Sequence, residues 1–163
     1  MIADTDHNPV AIDDLRLVPG FAPIVADRVW RAWWQEAGKP LAALRARLDE
    51  SLGPATAAIP SSFVAHRGAE FLGTVALIES DMEDRPALTP WLAALWVEPA
   101  ARGRGTGAAL VRHAARAAFA AGHARLHLCA TAQNAPYYHR LGWSRIEADI
   151  DGLDIFIRER VAG

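Results

Sequence analysis

The chain has 163 residues, 52% hydrophobic and 22% charged, and a formal net charge of -2. That is enough for one domain with its own core, without the basic excess that would draw nucleic acid or an anionic membrane. A single cysteine, Cys129, excludes a disulfide framework and a CxxC site.

The opening stretch, MIADTDHNPV, lacks the apolar centre of a signal peptide, and no run approaches the roughly 18 apolar residues of a membrane span. A cytoplasmic protein is expected, with residues 1–10 as a loose tail. Residues 12–18, IDDLRLV, predict a short strand closed by Pro19-Gly20. A helix is expected from Phe21 to Ala37, with Pro23 near its first turn and Gly38 as its stop. A second helix over 40–52 carries Leu41, Leu44, Leu48 and Leu52 at helical spacing. SSFVAHR and FLGTVALIE, joined by a turn containing Gly68, read as a hairpin. The polar loop SDMEDRPALTP leads into WLAALWV, apolar at every position and so expected as a central strand buried on both faces. Then come the loop ARGRGTG, a helix over 104–121, the strand RLHLCA with Cys129 as an inert buried thiol, and a short helix over 135–141. Two alternating segments, WSRIEADI and GLDIFIRER, finish a single mixed α/β domain.

The loop carries the chemistry. The first amides of a helix lack internal partners and, with the helix dipole, make an anion site that glycines allow a phosphate to approach. Arg102 and Arg104 add charge, so a pyrophosphate is the expected guest. A P-loop is excluded because no lysine follows the glycines. Gly103-x-Gly105-x-x-Ala108 fits the dinucleotide-binding pattern formally. However, Glu98 to Arg102 separate it from its strand, no carboxylate ends the next strand, and only some 60 residues remain for a second half.

Read in another register, the loop is Arg102-x-x-Gly105-x-Gly107 after an apolar strand ending Val97-x-Pro99. In "LWVEPAARGRGTGAALV" and, further on, "APYYHRLGW", the sequence resembles the GNAT superfamily of N-acetyltransferases. These are its coenzyme A loop and its later tyrosine-bearing helix before a Leu-Gly-aromatic turn. The resemblance covers residues 12–161. It implies an α+β fold whose central, mostly antiparallel twisted sheet has about six to seven strands and about four flanking helices. It also implies direct transfer of acetyl from acetyl-CoA to a primary amine of a small molecule or peptide, within a ternary complex and without a metal.

Residue by residue, the resemblance assigns the pyrophosphate to Gly103, Arg104, Gly105, Thr106 and Gly107, with Arg102 beside them. It assigns the pantetheine arm and the acyl oxygen to the backbone of Leu95, Trp96 and Val97. Tyr138 matches the tyrosine that protonates the departing thiolate, and a phenol of reference pKa near 10 suits that role. Tyr137 reads as packing. Asn134 follows the strand where the family sets an asparagine against the cofactor arm, but only four residues before Tyr138 rather than some seven. Trp91 to Val97 holds no carboxylate, so Glu79, Asp81, Glu83 and Asp84 in the preceding loop are the candidates for base or substrate contact. An amine with a pKa near 10.4 arrives protonated and needs one.

Trp30, Trp33 and Trp34 read as packing for the core or a homodimer, with an acceptor wall as the alternative. His123 and His127 make no metal-ligand pattern. Two rivals from other classes stay open: a non-catalytic, coenzyme A-binding regulatory module and a nicotinamide-nucleotide protein. The acceptor and the oligomeric state are not specified by these residues.

Overall fold

The computed structural model describes residues 9–54 and 58–161. Most of the expected loose tail, residues 1–8, lies outside the described residues. Seven strands form one sheet in the order β1-β2-β3-β4-β5-β7-β6. They are β1 (Ala11–Asp14), β2 (Ser61–Arg67), β3 (Glu70–Ile78), β4 (Trp91–Val97), β5 (Arg125–Ala130), β6 (Ser144–Ile150) and β7 (Leu153–Glu159). All neighbours are antiparallel except β4 and β5. Four α-helices flank the sheet: α1 (Ala22–Val29), α2 (Leu41–Glu50), α3 (Thr106–Ala120) and α4 (Ala135–Arg140). The expected strand and helix counts hold. Among the described residues no helix is long and apolar enough to cross a membrane.

Two differences from the sequence reading have local causes. The strand expected over 12–18 ends at Asp14, whose carboxylate takes the Arg16 amide at 2.9 Å while its carbonyl takes the Leu17 amide. A side chain that bonds its own backbone two residues on turns the chain out of the ladder. The helix expected over 21–37 is three segments: a 3-10 turn (Pro19–Phe21), α1, and a π turn (Trp30–Trp34) closed by the Gln35 amide on the Trp30 carbonyl at 2.8 Å. The wider turn inserts a residue into the helical phase.

The sheet separates two cores. On one face α3 presents Leu110, Val111, Ala114, Ala115 and Ala118 to Val75, Leu77, Leu92 and Leu128, and Tyr138, Trp143 and Phe156 join them. On the other face α1 and α2 cover Leu15, Val64 and Phe71 with Val25, Val29 and Leu44. Gly73 in β3 permits the close approach of β4, since a Cβ there would meet the Trp96 carbonyl oxygen at 2.7 Å.

β4 is central, as its apolar sequence implies, but it is irregular. Ala76 pairs with Ala93 and Thr74 with Trp96, so Ala94 and Leu95 stand opposite Val75 alone. This is a β-bulge, and Ala94 takes φ 54° within it. β4 and β5 then pair at one position only, Trp91 with His127. There the His127 amide donates to the Pro90 carbonyl at 3.0 Å and its Nδ1 lies 3.1 Å from the same oxygen. Beyond that point the strands splay. The complete burial expected along β4 accordingly holds for Trp91 and Leu92, whereas positions 93–97 are half-buried.

Candidate active site: the cleft between the splayed strands

The splay opens a cleft of about 790 Å3, within the usual size of small-molecule sites. Ala93, Ala94 and Leu95 of β4 face Leu128, Cys129 and Ala130 of β5 across it. Because β5 leaves after a single pair, the β4 edge from Leu92 to Val97 has no ladder partner on that side. Polar backbone at an unpaired edge is a template for an extended ligand arm. The peptide unit at the end of β4 shows its direction. The Glu98 amide donates to the Leu72 carbonyl of β3 at 2.8 Å, so the Val97 carbonyl in the same planar unit points away from β3, toward the gap.

At the far end of β4 the glycine loop turns into α3. Gly103 and Gly105 take φ 75° and 81°, conformations costly for any residue with a Cβ. They delay the helix to Thr106 rather than the expected 104. The first helical bond runs from the Ala109 amide to the Gly105 carbonyl, which leaves the amides of Thr106, Gly107 and Ala108 without helical partners. No acidic side chain caps them. Arg104 is exposed beside the turn. Arg102 points elsewhere: its Nε donates to the Val97 carbonyl at 2.9 Å and its guanidinium lies 4.8 Å from the centre of the Trp96 ring. The same turn is fixed from the other side by Arg28 of α1, whose Nε reaches Glu98 at 2.5 Å. Gly107 is confined, since a Cβ there would sit 3.0 Å from the Tyr137 hydroxyl. Tyr137 thus packs on the first turn of α3, a closer relation to the loop than plain core packing.

Tyr138 lines the cleft from α4 and is only 8% exposed, ringed by Tyr137, Trp143 and Phe156. Burial, reinforced by Tyr137 and Cys129, pushes its hydroxyl up to about 12. Asn134 lines the cleft nearby and its amide donates to the Thr131 hydroxyl at 3.4 Å. Of the acidic candidates, Glu79 and Asp81 line the cleft, while Glu83 and Asp84 do not, Asp84 pairing with Arg85 at 3.2 Å. Cys129 lines the cleft and donates its S–H to Asp81 across 3.1 Å. Burial, then the Asp81 charge, pushes its thiol up to about 12, so it is no thiolate nucleophile.

The structure adds features absent from the sequence reading. The bulge at Ala94 has no residue-type signature. Trp33 and Trp34, expected as packing with an acceptor wall as the alternative, both line the cleft, in line with that alternative. So do Ser51 and Ser62. Ser62 carries a faint signal, as a polar residue inside an otherwise apolar strand; Ser51 carries none. Among the described residues no cluster of His, Cys, Asp or Glu could hold a metal.

An unpaired strand edge, an uncapped helix start after it and a buried phenol make up the site, and the family match makes the chain an acyl-CoA-dependent N-acyltransferase. The sequence model of the GNAT acetyltransferase domain matches residues 60–145, a little over half the chain, and the protein belongs to that family. The fold is also that of an acetyltransferase from Streptococcus agalactiae (16% identity, TM-score 0.67, covering 93% of this chain and 98% of that one). An acyl-CoA N-acyltransferase from Pseudomonas aeruginosa is similar (17%, TM-score 0.62, 92% and 98%). N-acetylglutamate synthase from Neisseria gonorrhoeae, solved with coenzyme A and N-acetyl-glutamate, is matched over 94% of this chain and 36% of that one (19%, TM-score 0.67). No curated protein matches the chain significantly.

Proposed function

We propose that the protein transfers the acetyl group of acetyl-CoA directly to a primary amine of a small molecule or peptide, both substrates being bound together. The observation that supports this is the cleft itself, where an unpaired β4 edge and Tyr138 meet between β4 and β5, with the glycine loop and the uncapped start of α3 following β4 in the chain. Acetyl-CoA is the donor and supplies the acyl thioester. The amides at 103–107, with Arg104, hold its pyrophosphate, where oriented N–H groups cost little reorganisation. Leu95, Trp96 and Val97 take the pantetheine arm as an added strand. Arg102 must then give up the Val97 carbonyl or share it. The bulge re-aims a β4 amide toward the acyl oxygen, and one such donor is worth about 3 kcal/mol.

Asp81, with Glu79 beside it, receives the proton of the incoming ammonium, directly or through water. The amine nitrogen then bonds to the acyl carbon as the carbon–sulfur bond breaks, the departing sulfur takes the Tyr138 proton, and the second proton shed by nitrogen as the amide forms returns through water to the Tyr138 oxygen. Burial keeps that phenol protonated at every working pH. Asn134 orients the arm near the same opening. We also propose that the protein resides in the cytoplasm and pairs as a homodimer.

The test is thermal unfolding with acetyl-CoA, coenzyme A and NAD added separately, followed by acetyl-CoA turnover over an amine panel. At 100 times its dissociation constant a ligand adds about 2.7 kcal/mol, a rise of roughly 5–10 °C for a domain of this size. A rise with the coenzyme A species alone and acetylation of an amine are expected. A rise without turnover of any amine would favour the regulatory module, and a rise with NAD alone would overturn the reading.

A further inference from the structure

The cleft continues beyond the β4 edge, beneath α1 and α2, into a second chamber whose lining constrains what the acceptor is. Its floor is a row across three strands: Ser62 of β2 pairs with Ala76 of β3, which pairs with Ala93 of β4. All three line the cleft. Small side chains in register leave depth over the sheet. Ser62 is 4% exposed and Ser51, at the end of α2, is 5% exposed. Neither hydroxyl has a hydrogen-bond partner among the described residues, and both residues line the cleft. Both hydroxyls open to the cleft, where a ligand can take the place of water.

The same lining holds an open aromatic and three carboxylates. Trp33 is 45% exposed, and its indole makes no ring, cation or hydrogen-bond contact with a described residue. Its neighbours are engaged: the Trp30 Nε1 donates to the Lys39 carbonyl, and Trp34 takes the Lys39 and Arg47 cations at 5.1 and 5.9 Å. The charged residues lining the cleft are Arg47 against Glu50, Glu79 and Asp81, so a cation is favoured. Ser62 lies two strands from β4, about 9.6 Å away at the usual spacing, and β4 is where the reacting amine must arrive.

We propose that the acceptor is a cationic arylalkylamine bearing a hydroxyl on its ring. The ammonium lies toward Asp81 and Glu79, the ring against Trp33, and the ring hydroxyl on Ser62 at the deep end. This rests on the transferase reading above, which makes the cleft an acceptor site. A two-carbon arm and a para-substituted ring match the span from the β4 edge to β2. An aliphatic polyamine offers no ring to Trp33, and an acidic amino acid would meet three carboxylates.

The test compares kcat/KM for tyramine, 2-phenylethylamine, n-butylamine, spermidine and glutamate in the wild type, Trp33→Ala and Ser62→Ala. Tyramine is expected to lead, about tenfold over 2-phenylethylamine, and that ratio should fall to about 1 in Ser62→Ala. Trp33→Ala should narrow the gap between aromatic and aliphatic amines about tenfold, mainly through KM. Preference for spermidine or glutamate, or a tyramine ratio unchanged in Ser62→Ala, overturns the proposal while leaving the transferase intact. The same amines titrated calorimetrically into protein saturated with coenzyme A separate the two failures. Tyramine that binds with Ser62-dependent affinity but is never acetylated upholds the chamber and sinks the transferase reading. No binding and no turnover of any aromatic amine overturns the chamber.

Discussion

In the proposed reaction Tyr138 is the residue whose environment bears most directly on the chemistry. Its ring is held by three aromatic neighbours and its hydroxyl is raised to about 12 by burial. The neutral form is therefore the one present up to that pH, and kcat should show no alkaline loss centred near 10, where a free phenol ionises. A pH–rate profile taken to 10.5 checks this; a loss near 10 that disappears in Tyr138→Phe would mean the phenol is not desolvated in the working complex. Tyr138→Phe itself should lower kcat by about a hundredfold or more while the thermal shift with coenzyme A is retained. At Gly107 the argument is steric. A methyl there meets the Tyr137 hydroxyl at 3.0 Å, so Gly107→Ala should weaken coenzyme A binding, and Tyr137→Phe in the same chain should restore much of it. Titration calorimetry of the single and double variants decides whether the two positions are coupled.

Among the elements, β4 decides the most. Ala94 holds a left-handed conformation that costs an alanine about 1 kcal/mol. Ala94→Gly should raise the unfolding midpoint slightly and Ala94→Val should lower it by several degrees, read by thermal denaturation. If Ala94→Val also removes turnover without removing the coenzyme A shift, the bulge acts on the acyl group rather than on cofactor binding. The splay has an equally local origin, since β5 touches β4 only at His127 and then follows β7, with which it pairs along its whole length. The glycine loop is the counterpart in helix form: two positive-φ glycines postpone α3 to Thr106 and leave its first amides uncapped.

For the whole molecule, two histidines link folding to pH. Burial lowers the pKa of His127, between Trp91 and the Pro90 carbonyl. Burial, then Arg116, lowers that of His113, against Phe63. A folded pKa below the unfolded value of about 6.5 means their contribution is complete above that pH and is lost as the pH falls through the folded values. The unfolding midpoint should therefore drop between pH 7 and pH 5, and less steeply in His127→Gln. A midpoint flat over that interval would show that neither ring is held neutral by the fold.

The sequence by itself determined the family and the order of the elements. Periodicity placed β2, β5, α2 and α4 within a residue or two, and Gly103 and Gly105 marked the turn into α3, where their positive φ suits only glycine. Tyr138 followed from its place before Leu141-Gly142-Trp143. Tertiary structure alone decided the rest, because those features depend on residues distant in the chain. The cleft exists only where β5 abandons β4, which no property of WLAALWV or RLHLCA encodes. Arg102 reads as a pyrophosphate ligand until the Val97 carbonyl and the Trp96 ring are seen to hold it. Four carboxylates were equivalent in the sequence, and loop geometry brought Glu79 and Asp81 into the cleft while Arg85 held Asp84 elsewhere. Ser62 and Trp33 became partners in one chamber only through strand register and a π turn, both long-range outcomes of packing rather than of local propensity.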